Sequence, residues 1–264
     1  GRIVDVDAHT GQVLASISRH WEIAPVDVYQ TNKRCQTLSP VADSLGGRAP
    51  ISVDFKRCSL VIKADVTKPT ADDQAAQAFS NSQQVLKYYS DVHHRNSFDD
   101  QGSPVVNVVH IGDKWSNAFW NSEQDIMAYG DGDGKVFRNL TLSVDVAGHE
   151  MTHGVVSKTA NLEYQGESGA LNEGFADFFG ETIEGQKDWV MGRDLFFDVA
   201  MGENGIRNLK DPHKTTYKWQ DQNGDPIRKP APASYDEIFT FGSDSCDRSN
   251  DNCGVHMNAT LIGH

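Results

Sequence analysis

The sequence predicts an α+β fold, in which a β-rich N-terminal lobe leads into helices in the middle of the chain. Short, loosely alternating apolar runs broken by turn residues occupy much of the first 66 residues, as expected for short strands. Apolar residues at helical spacing follow over residues 71–95. Two later segments, residues 142–158 and 172–184, carry polar residues four apart, which share one helical face.

The N-terminal half is predicted to contain short strands and one long helix. Residues 1–14 alternate on both sides of a turn-forming segment and predict a β-hairpin. Residues 32–66 are rich in turn formers and predict short antiparallel strands. Asp72 favours a helix start at the head of residues 71–95. Residues Val105–Ile111 alternate in hydrophobicity and predict a further strand.

The second half is predicted to begin with two helices and to continue in loops. The first helix covers residues 142–158, and the second covers residues 172–184. Gly185 is the predicted end of the second helix, because glycine readily takes the left-handed conformation found there. Residues 202–254 are rich in Gly, Pro, Asp and Asn. They are predicted to be long loops held by a metal, a disulfide or packing.

Length and charge narrow the class of protein. The chain has 264 residues, enough for one or two domains with a substantial core. Its formal net charge of -13 opposes a general affinity for nucleic acid or for an anionic membrane. No apolar run approaches the ~18 residues that would span a bilayer. We therefore expect neither nucleic acid nor membrane as a partner.

The four cysteines leave two interpretations open. None of Cys35, Cys58, Cys246 and Cys253 has the CxxC spacing of a structural zinc site. An even number in local pairs favours the disulfides Cys35–Cys58 and Cys246–Cys253, which form in oxidising compartments. The alternative is four buried thiols.

The strongest functional signal is the His-Glu-Met-Thr-His run at residues 149–153. Histidines four apart project from one face of a helix, so both can reach one zinc ion. Glu150 then lies beside the metal, where it can accept a proton from an activated water molecule. Catalytic zinc usually takes three protein ligands, and Glu173 is the predicted third. Asp177, one turn later, can accept the free N–H of a ligating histidine.

Five further segments accompany this motif in a recognisable order. They are Asn-Ala-Phe-Trp at 117–120, Tyr-Gly-Asp-Gly-Asp-Gly at 129–134, Asn-Leu-Glu-Tyr-Gln-Gly-Glu-Ser-Gly-Ala at 161–170, Gly-Ile-Arg-Asn-Leu-Lys-Asp-Pro at 205–212 and Asp-Asn-Cys-Gly-Val-His-Met-Asn at 251–258. Together with the zinc motif they span about residues 85–260. In that order and content the chain resembles the thermolysin-like zinc metallopeptidases.

The resemblance implies a secreted zinc endopeptidase that prefers apolar residues after the cut. One zinc ion would be held by His149, His153 and Glu173, with Glu150 as the general base. The resemblance implies catalytic roles for Tyr164 and His256, with Asp251 orienting His256. It implies substrate-binding roles for Asn117, the Ala118 backbone and Arg207, and supporting roles behind the ligands for Asn172 and Asp177.

A calcium site is the next expectation. Asp145, Glu181, Glu184 and Asp188 fall near the zinc helices, and clustered carboxylates repel one another without a hard cation. These residues also match the family's calcium cluster. Members with two adjacent ions carry a further carboxylate near position 193. This chain has Arg193 there, which favours one calcium ion.

The resemblance also implies a domain organisation. Residues 1–25 resemble the tail of a propeptide, with an ordinary N-terminal hairpin as the alternative. Residues 26–160 would form the β-rich lobe that ends in the first zinc helix. Residues 161–264 would contain the second zinc helix and the truncated start of a helical C-terminal lobe.

Three functional interpretations follow from these features. The leading one is a monomeric endopeptidase acting on proteins or peptides, with its own propeptide as inhibitor and chaperone. The second is a zinc-binding fragment or zymogen piece without turnover, because a C-terminal lobe is expected after His264. The third is a non-peptidase zinc hydrolase, against which the peptide-binding Asn117 segment and Arg207 argue.

Overall fold

The computed structural model describes residues 2–6, 13–18, 23–32, 34–63, 71–220, 226–241 and 246–264. The strands are β1 Arg2–Val6, β2 Val13–Ser18, β3 Val26–Gln30, β4 Gln36–Leu38, β5 Pro50–Val53, β6 Ser59–Ile62, β7 Val105–Ile111, β8 Ala118–Asn121, β9 Ile126–Gly130, β10 Val190–Met191, β11 Arg207–Asn208, β12 Thr216–Gln220 and β13 Pro226–Pro230. The long helices are α1 Asp73–His93, α2 Val144–Ser157 and α3 Gly166–Glu184. Short helical turns are Phe55–Arg57, Leu140–Leu142, Arg193–Leu195, Val199–Gly202, Pro212–Lys214, Tyr235–Glu237, Arg248–Asn250 and Thr260–Gly263.

A five-stranded mixed sheet forms the N-terminal part, in the order β6-β3-β7-β9-β8. The three central strands run parallel to one another, and the two outer strands are antiparallel to their neighbours. The central strand β7 is almost fully buried, which explains its run of valines. Strand β8 therefore presents one unpaired backbone edge within this sheet, and its Trp120 packs against Gly154 of α2.

Helix α1 packs its apolar stripe against the sheet. Its start is fixed by Asp72, whose carboxylate accepts hydrogen bonds from the N–H groups of Gln74 and Ala75 at 3.0 and 3.1 Å. It ends at His93, and the following residue, His94, lies in the left-handed region. The buried stripe, which confirms the predicted helix over 71–95, includes Ala75, Ala78, Val85, Leu86 and Tyr89.

Two glycines let α2 and α3 approach closely. A Cβ atom on Gly148 would lie 3.0 Å from the Cα of Gly180, and one on Gly180 would lie 2.5 Å from the carbonyl oxygen of Asp145. Any larger residue would push the helices apart, because backbone atoms cannot yield as a side chain can. This contact sets the distance between the polar residues of the two helices.

Several sequence predictions are confirmed. Strands β1 and β2 pair as an antiparallel hairpin, and residues 32–66 contain short antiparallel strands. The first predicted metal helix is α2, and both predicted disulfides, Cys35–Cys58 and Cys246–Cys253, are present. Within the described part of the chain, no helix combines the length and apolar character that a bilayer crossing requires.

Two predictions need correction. Helix α3 begins at Gly166 and not at residue 172. The glycines at its start have low helix propensity, so the sequence gives no sign of a helix there. Gly169 is needed for close packing, because a Cβ at this position would lie 2.3 Å from a methyl group of Val255. Residues 202–254 also contain a β-hairpin, β12–β13. Strand β13 begins and ends with a proline, a residue that argues against a strand in the sequence. Proline is nevertheless compatible with the open edge of a two-stranded ribbon.

An ion triad links the start of α1 to the turn after β9. His110 places Nε2 3.0 Å from Asp72 and Nδ1 2.8 Å from Asp131. Hydrogen bonding to Asp131, opposed by burial and aided by Asp72, raises the pKa of His110 to about 9. The charged imidazole therefore stabilises the folded state fully below about pH 6.5, and this stabilisation is lost as the pH rises through about 9.

We expect His110→Asn to lower the melting temperature at pH 6 by about 2–4 °C and to have little effect at pH 10. The loss corresponds to about 1 kcal/mol, because both contacts are partly solvent-exposed. Asparagine tolerates the left-handed backbone of this residue, whose φ is 61°. His213→Gln, at the exposed pair with Glu237, is the control and should change little. A loss that is equal at both pH values would contradict the charged triad.

Candidate metal centre and catalytic cleft

Helices α2 and α3 bring two histidines and one carboxylate to a common point. His149 and His153 lie one turn apart on α2, and their Nε2 atoms are 3.0 Å apart. Glu173 on α3 places Oε2 3.4 Å from His149 Nε2 and Oε1 3.4 Å from His153 Nε2. The side chain of Glu173 is fully buried, and those of the two histidines are nearly so.

This arrangement fits a zinc ion. A tetrahedral zinc ion with ligand bonds of about 2.0–2.1 Å separates its ligand atoms by about 3.3 Å. The three ligand pairs here are separated by 3.0, 3.4 and 3.4 Å. Glu173 Oε2 is buried yet accepts no hydrogen bond from any described residue. A buried carboxylate oxygen of this kind requires a partner, and a metal ion would be one.

Groups behind these ligands orient them. His153 Nδ1 lies 2.8 Å from the side-chain oxygen of Asn172, and His149 Nδ1 lies 2.9 Å from Asp177. Both contacts favour a proton on Nδ1, which leaves Nε2 free to bind a metal. Arg207 donates from Nε and Nη2 to the two oxygens of Asp177, each at 2.6 Å.

The two histidines differ in their affinity for protons. Burial lowers the pKa of His153 to about 4, so its ring is neutral at pH 7. Burial also opposes charge on His149, but Asp177 and Glu173 outweigh it and raise its pKa to about 10. A metal ion that binds here must displace a proton from His149. Metal binding should therefore weaken as the pH falls.

Glu150 is placed beside the ligands as a weakly acidic carboxyl group. It is 6 % exposed and lies on the cleft wall with His149 and His153. Burial, together with the negative charge of Glu173, raises the pKa of Glu150 to about 7, although His149 opposes this shift. A carboxyl group with a pKa near neutrality can both accept and return a proton.

Tyr164 and His256 both lie next to the predicted metal ligand Glu173. The hydroxyl of Tyr164 donates to Glu173 Oε1 and lies 3.2 Å from His256 Nε2. Asp251 holds the other ring nitrogen of His256 at 2.6 Å. Burial opposes charge on His256, but Glu173 and Asp251 outweigh it and raise its pKa. Burial and Glu173 raise the pKa of Tyr164, which stays protonated. Both side chains can therefore donate hydrogen bonds.

A cavity of about 510 Å³ connects these groups. Asn117, which precedes strand β8, and Ala118, its first residue, contribute to one wall, and Asn117 Oδ1 accepts the Ala118 N–H at 2.9 Å. Leu140, Val146, Met191 and Ile206 add apolar side chains to the lining, which also includes Arg207.

The expected residues of this cleft divide into two groups. Those that line the cavity are Asn117, Ala118, His149, Glu150, His153, Tyr164, Asn172, Glu173, Arg207 and His256. Asp177 and Asp251 lie behind this wall and contact it through Arg207, His149 and His256. Tyr217 also supports the site, because its hydroxyl donates to the carbonyl of His256 at 2.9 Å. It lies in the segment predicted to be loop, and no strand pattern marks it.

A separate cluster of acidic residues lies at the start of α2 and the end of α3. Oxygens of Asp145, Glu181 and Glu184 lie within 4.8 Å of one another. Burial and Asp145 raise the pKa of Glu181 to about 9, and the same causes raise that of Glu184 to about 8. Glu181 Oε1 is buried and accepts no hydrogen bond from the described residues. Asp188 lies nearby but pairs with Arg193 Nη1 at 2.6 Å.

Comparisons with known proteins agree with this geometry. Residues 18–157 match the family model of the thermolysin metallopeptidase catalytic domain, and residues 160–264 match that of its α-helical domain. A bacillolysin of Brevibacillus brevis is 33 % identical over 97 % of this chain and 46 % of its own length. Protease PrtS of Photorhabdus sp. (strain Az29) is 38 % identical over 70 % of this chain and 48 % of its own length.

A solved structure supports the same comparison. The precursor of protealysin, a metalloproteinase from Serratia proteamaculans, superposes with a TM-score of 0.70 at 26 % identity. The match covers 92 % of this chain and 66 % of that one. The chain spans about half the length of the two curated relatives described above.

Proposed function

The chain belongs to the family of thermolysin metallopeptidases, and from this premise we propose that it hydrolyses internal peptide bonds with one zinc ion held by His149, His153 and Glu173. The convergence of these three side chains at 3.0–3.4 Å carries the proposal. When bound, zinc polarises the substrate carbonyl and makes water more acidic. The remaining work falls to residues of the chain.

Glu150 is the proposed general base. Its carboxylate accepts a proton from the attacking water and returns it to the nitrogen of the leaving amine. Its pKa of about 7, set mainly by burial, suits both transfers near neutral pH. An amide at this position could accept no proton at all.

Tyr164 and His256 are the proposed donors to the oxyanion that develops on the scissile carbonyl. Their donor atoms lie 3.2 Å apart and face the metal ligands, so one oxygen atom can receive a hydrogen bond from each. Asp251 keeps the proton on His256 Nδ1 and favours the charged ring. His256 is held in advance by Asp251, whereas the Tyr164 hydroxyl, which donates to Glu173 Oε1 in this structure, would turn to the oxyanion during the reaction.

The substrate is proposed to be an extended peptide lying along strand β8. Strand β8 is at the sheet edge, where a peptide can add as a further strand through Asn117 and the Ala118 backbone. Arg207 is held by Asp177 and is proposed to bind the carbonyl after the scissile bond. The apolar side chains in the cavity lining, among them Leu140 and Val146, support a preference for an apolar residue after the cut.

A pair of internally quenched peptides tests the proposal. Both have blocked ends and differ only in the residue after the intended cut, which is leucine in one and aspartate in the other. We expect the leucine peptide to be cleaved at the bond before that leucine. This cleavage should stop when zinc is removed with a chelator. Retained hydrolysis without zinc, or action on esters but not on peptides, would favour another hydrolase class.

The acidic cluster is proposed to hold one calcium ion through Asp145, Glu181 and Glu184. Two observations support this. The carboxylates are packed so closely that burial and mutual repulsion raise the pKa of Glu181 and of Glu184. An oxygen of Glu181 is also left without a partner among the described residues. Asp188 pairs with Arg193, so we propose that it lies beside the calcium ion and does not bind it directly.

Saturating calcium is expected to raise the melting temperature by about 5–10 °C at pH 8. Binding at about 100 times Kd adds roughly 2.7 kcal/mol, and each kcal/mol is worth about 2–4 °C. Without a cation the raised pKa values destabilise the fold progressively between about pH 4.5 and 9, because the folded state holds protons that the unfolded state releases. The calcium effect should therefore be smaller at pH 5.

Glu181→Gln should abolish most of this calcium effect. Glu167→Gln, an exposed position on the first turn of the same helix, is the matched control and should keep it. A melting temperature that does not change during a calcium titration at pH 8 would contradict the site.

We also propose that the protein is secreted and acts as a monomer. The Cys35–Cys58 and Cys246–Cys253 disulfides support this location, because such bonds form and persist outside the reducing cytosol. The N-terminal hairpin β1–β2 is proposed to be the tail of an inhibitory propeptide.

A further inference from the structure

The segment that precedes His256 contains an unusual turn. Asp251, Asn252, Cys253 and Gly254 have φ values of 56°, 49°, 64° and 79°, so four consecutive residues lie in the left-handed region. A Cβ atom makes this conformation unfavourable. Asp and Asn tolerate it better than most residues, whereas Cys shows no such preference. The turn therefore needs support from interactions outside its own backbone preferences.

A disulfide and a set of hydrogen bonds supply that support. The Cys246–Cys253 bond closes a small ring around the turn. Inside the ring, the side-chain oxygen of Asn250 accepts the N–H of Cys253 at 2.9 Å and that of Asp247 at 3.0 Å. The carbonyl oxygen of Asp247 accepts the N–H of Asn252 at 2.7 Å. The covalent bond thus anchors one of the left-handed residues directly.

This left-handed turn also fixes the position of the Asp251 carboxylate, which holds His256. Asp251 Oδ2 accepts the backbone N–H groups of His256 and Met257 at 2.8 and 3.2 Å, and Oδ1 lies 2.6 Å from His256 Nδ1. With its ring held this way, His256 places Nε2 3.2 Å from the Tyr164 hydroxyl. A change in the backbone at residues 251–254 would alter all three contacts of Asp251.

We infer that the Cys246–Cys253 disulfide positions His256 for turnover, by holding the left-handed turn and so the carboxylate of Asp251. The inference rests on the proposed function, in which His256 donates to the oxyanion. Neither cysteine is placed to touch substrate, so both are positioning residues. Without the covalent bond, residues 251–254 can relax into ordinary backbone conformations and release the imidazole. The metal ligands on α2 and α3 lie on other elements and stay in place.

The first test compares two disulfide deletions in the same protein. Cys246→Ser/Cys253→Ser should lower kcat about 10–100-fold, less than the roughly 10²–10³-fold typical of losing a whole oxyanion donor. KM should change by less than about threefold, since peptide binding along β8 is unaffected, and zinc content should stay at that of the wild type. The control, Cys35→Ser/Cys58→Ser, removes the other disulfide and should keep kcat despite lower stability. An equal loss of kcat in both variants would overturn the inference.

The second test asks whether the effect passes through His256. The Cys246→Ser/Cys253→Ser change is repeated in a His256→Ala background, and the four kcat values form a double-mutant cycle. We expect almost no further loss in that background, because the positioned group is already absent. A further loss by the same factor as in the wild type would show that the disulfide acts elsewhere and would overturn the inference.

The third test does not depend on activity. Hydrogen exchange at the backbone amides of His256 and Met257 should quicken in the Cys246→Ser/Cys253→Ser variant and not in the Cys35→Ser/Cys58→Ser variant, since both amides donate to Asp251. Unchanged exchange would overturn the inference. If the wild-type protein hydrolysed no peptide at all, the proposed function would fail, and hydrogen exchange would still decide whether the disulfide holds His256.

Discussion

Replacing Glu150 by glutamine is expected to lower kcat by roughly 10²–10⁴-fold while the protein keeps its zinc. The amide has nearly the same size and keeps a hydrogen-bonding oxygen, but it accepts no proton from water. Zinc retention follows because the ligand atoms come from His149, His153 and Glu173, which the substitution does not touch. The measurement is steady-state hydrolysis of a quenched peptide together with metal analysis of the same sample.

Glu123→Gln is the matched control for this experiment. Glu123 is an exposed glutamate in the turn after β8, so the same chemical change there should leave kcat within about twofold. If Glu150→Gln retained more than about a tenth of the wild-type activity, the base assignment would be wrong. In that case another group of the cleft would have to accept the proton.

Replacing Glu173 by glutamine is expected to abolish both zinc binding and turnover. The substitution removes the only negative charge among the three ligands, at a side chain that is fully buried. Changes in groups behind metal ligands already weaken metal binding about 10–100-fold. We therefore expect more than about 100-fold weaker zinc binding for the ligand itself, measured by competition with a fluorescent chelator.

Asn172→Ala provides a graded comparison. Asn172 holds His153 Nδ1 but binds no metal in the proposed site. Its loss should weaken zinc binding about 10–100-fold and leave a protein that regains activity when zinc is added. Equal zinc affinity in Glu173→Gln and wild-type protein would contradict the assignment of the third ligand. Melting temperatures recorded without zinc would reveal any general loss of folding.

The site was more predictable than the fold around it. His149 and His153 were identifiable because a helical period fixes their relative positions, and Glu173 with Asp177 repeats that period on a second helix. The start of this second helix was not predictable. Gly166 and Gly169 lower helix propensity, and only the close packing against Val255 explains Gly169.

Positions that depend on tertiary contacts gave weak local signals. Resemblance pointed to Arg207, but not to its two hydrogen bonds with Asp177, which form between α3 and β11. No local pattern predicts the pairing of Asp188 with Arg193, although Arg193 itself favours one calcium ion over two. The left-handed run at residues 251–254 had no sequence signature beyond Asp, Asn and Gly. Long-range packing and disulfide closure decide such conformations, and a local pattern contains neither.

The most direct test of the central claim is a zinc titration of the metal-free protein, followed by peptide hydrolysis. If His149, His153 and Glu173 form one catalytic zinc site, activity should rise linearly with added zinc and stop rising at one equivalent per chain. Calcium is kept saturating throughout, so that stability does not change. Activity that is present before zinc is added, or that does not depend on the zinc bound, would contradict the account.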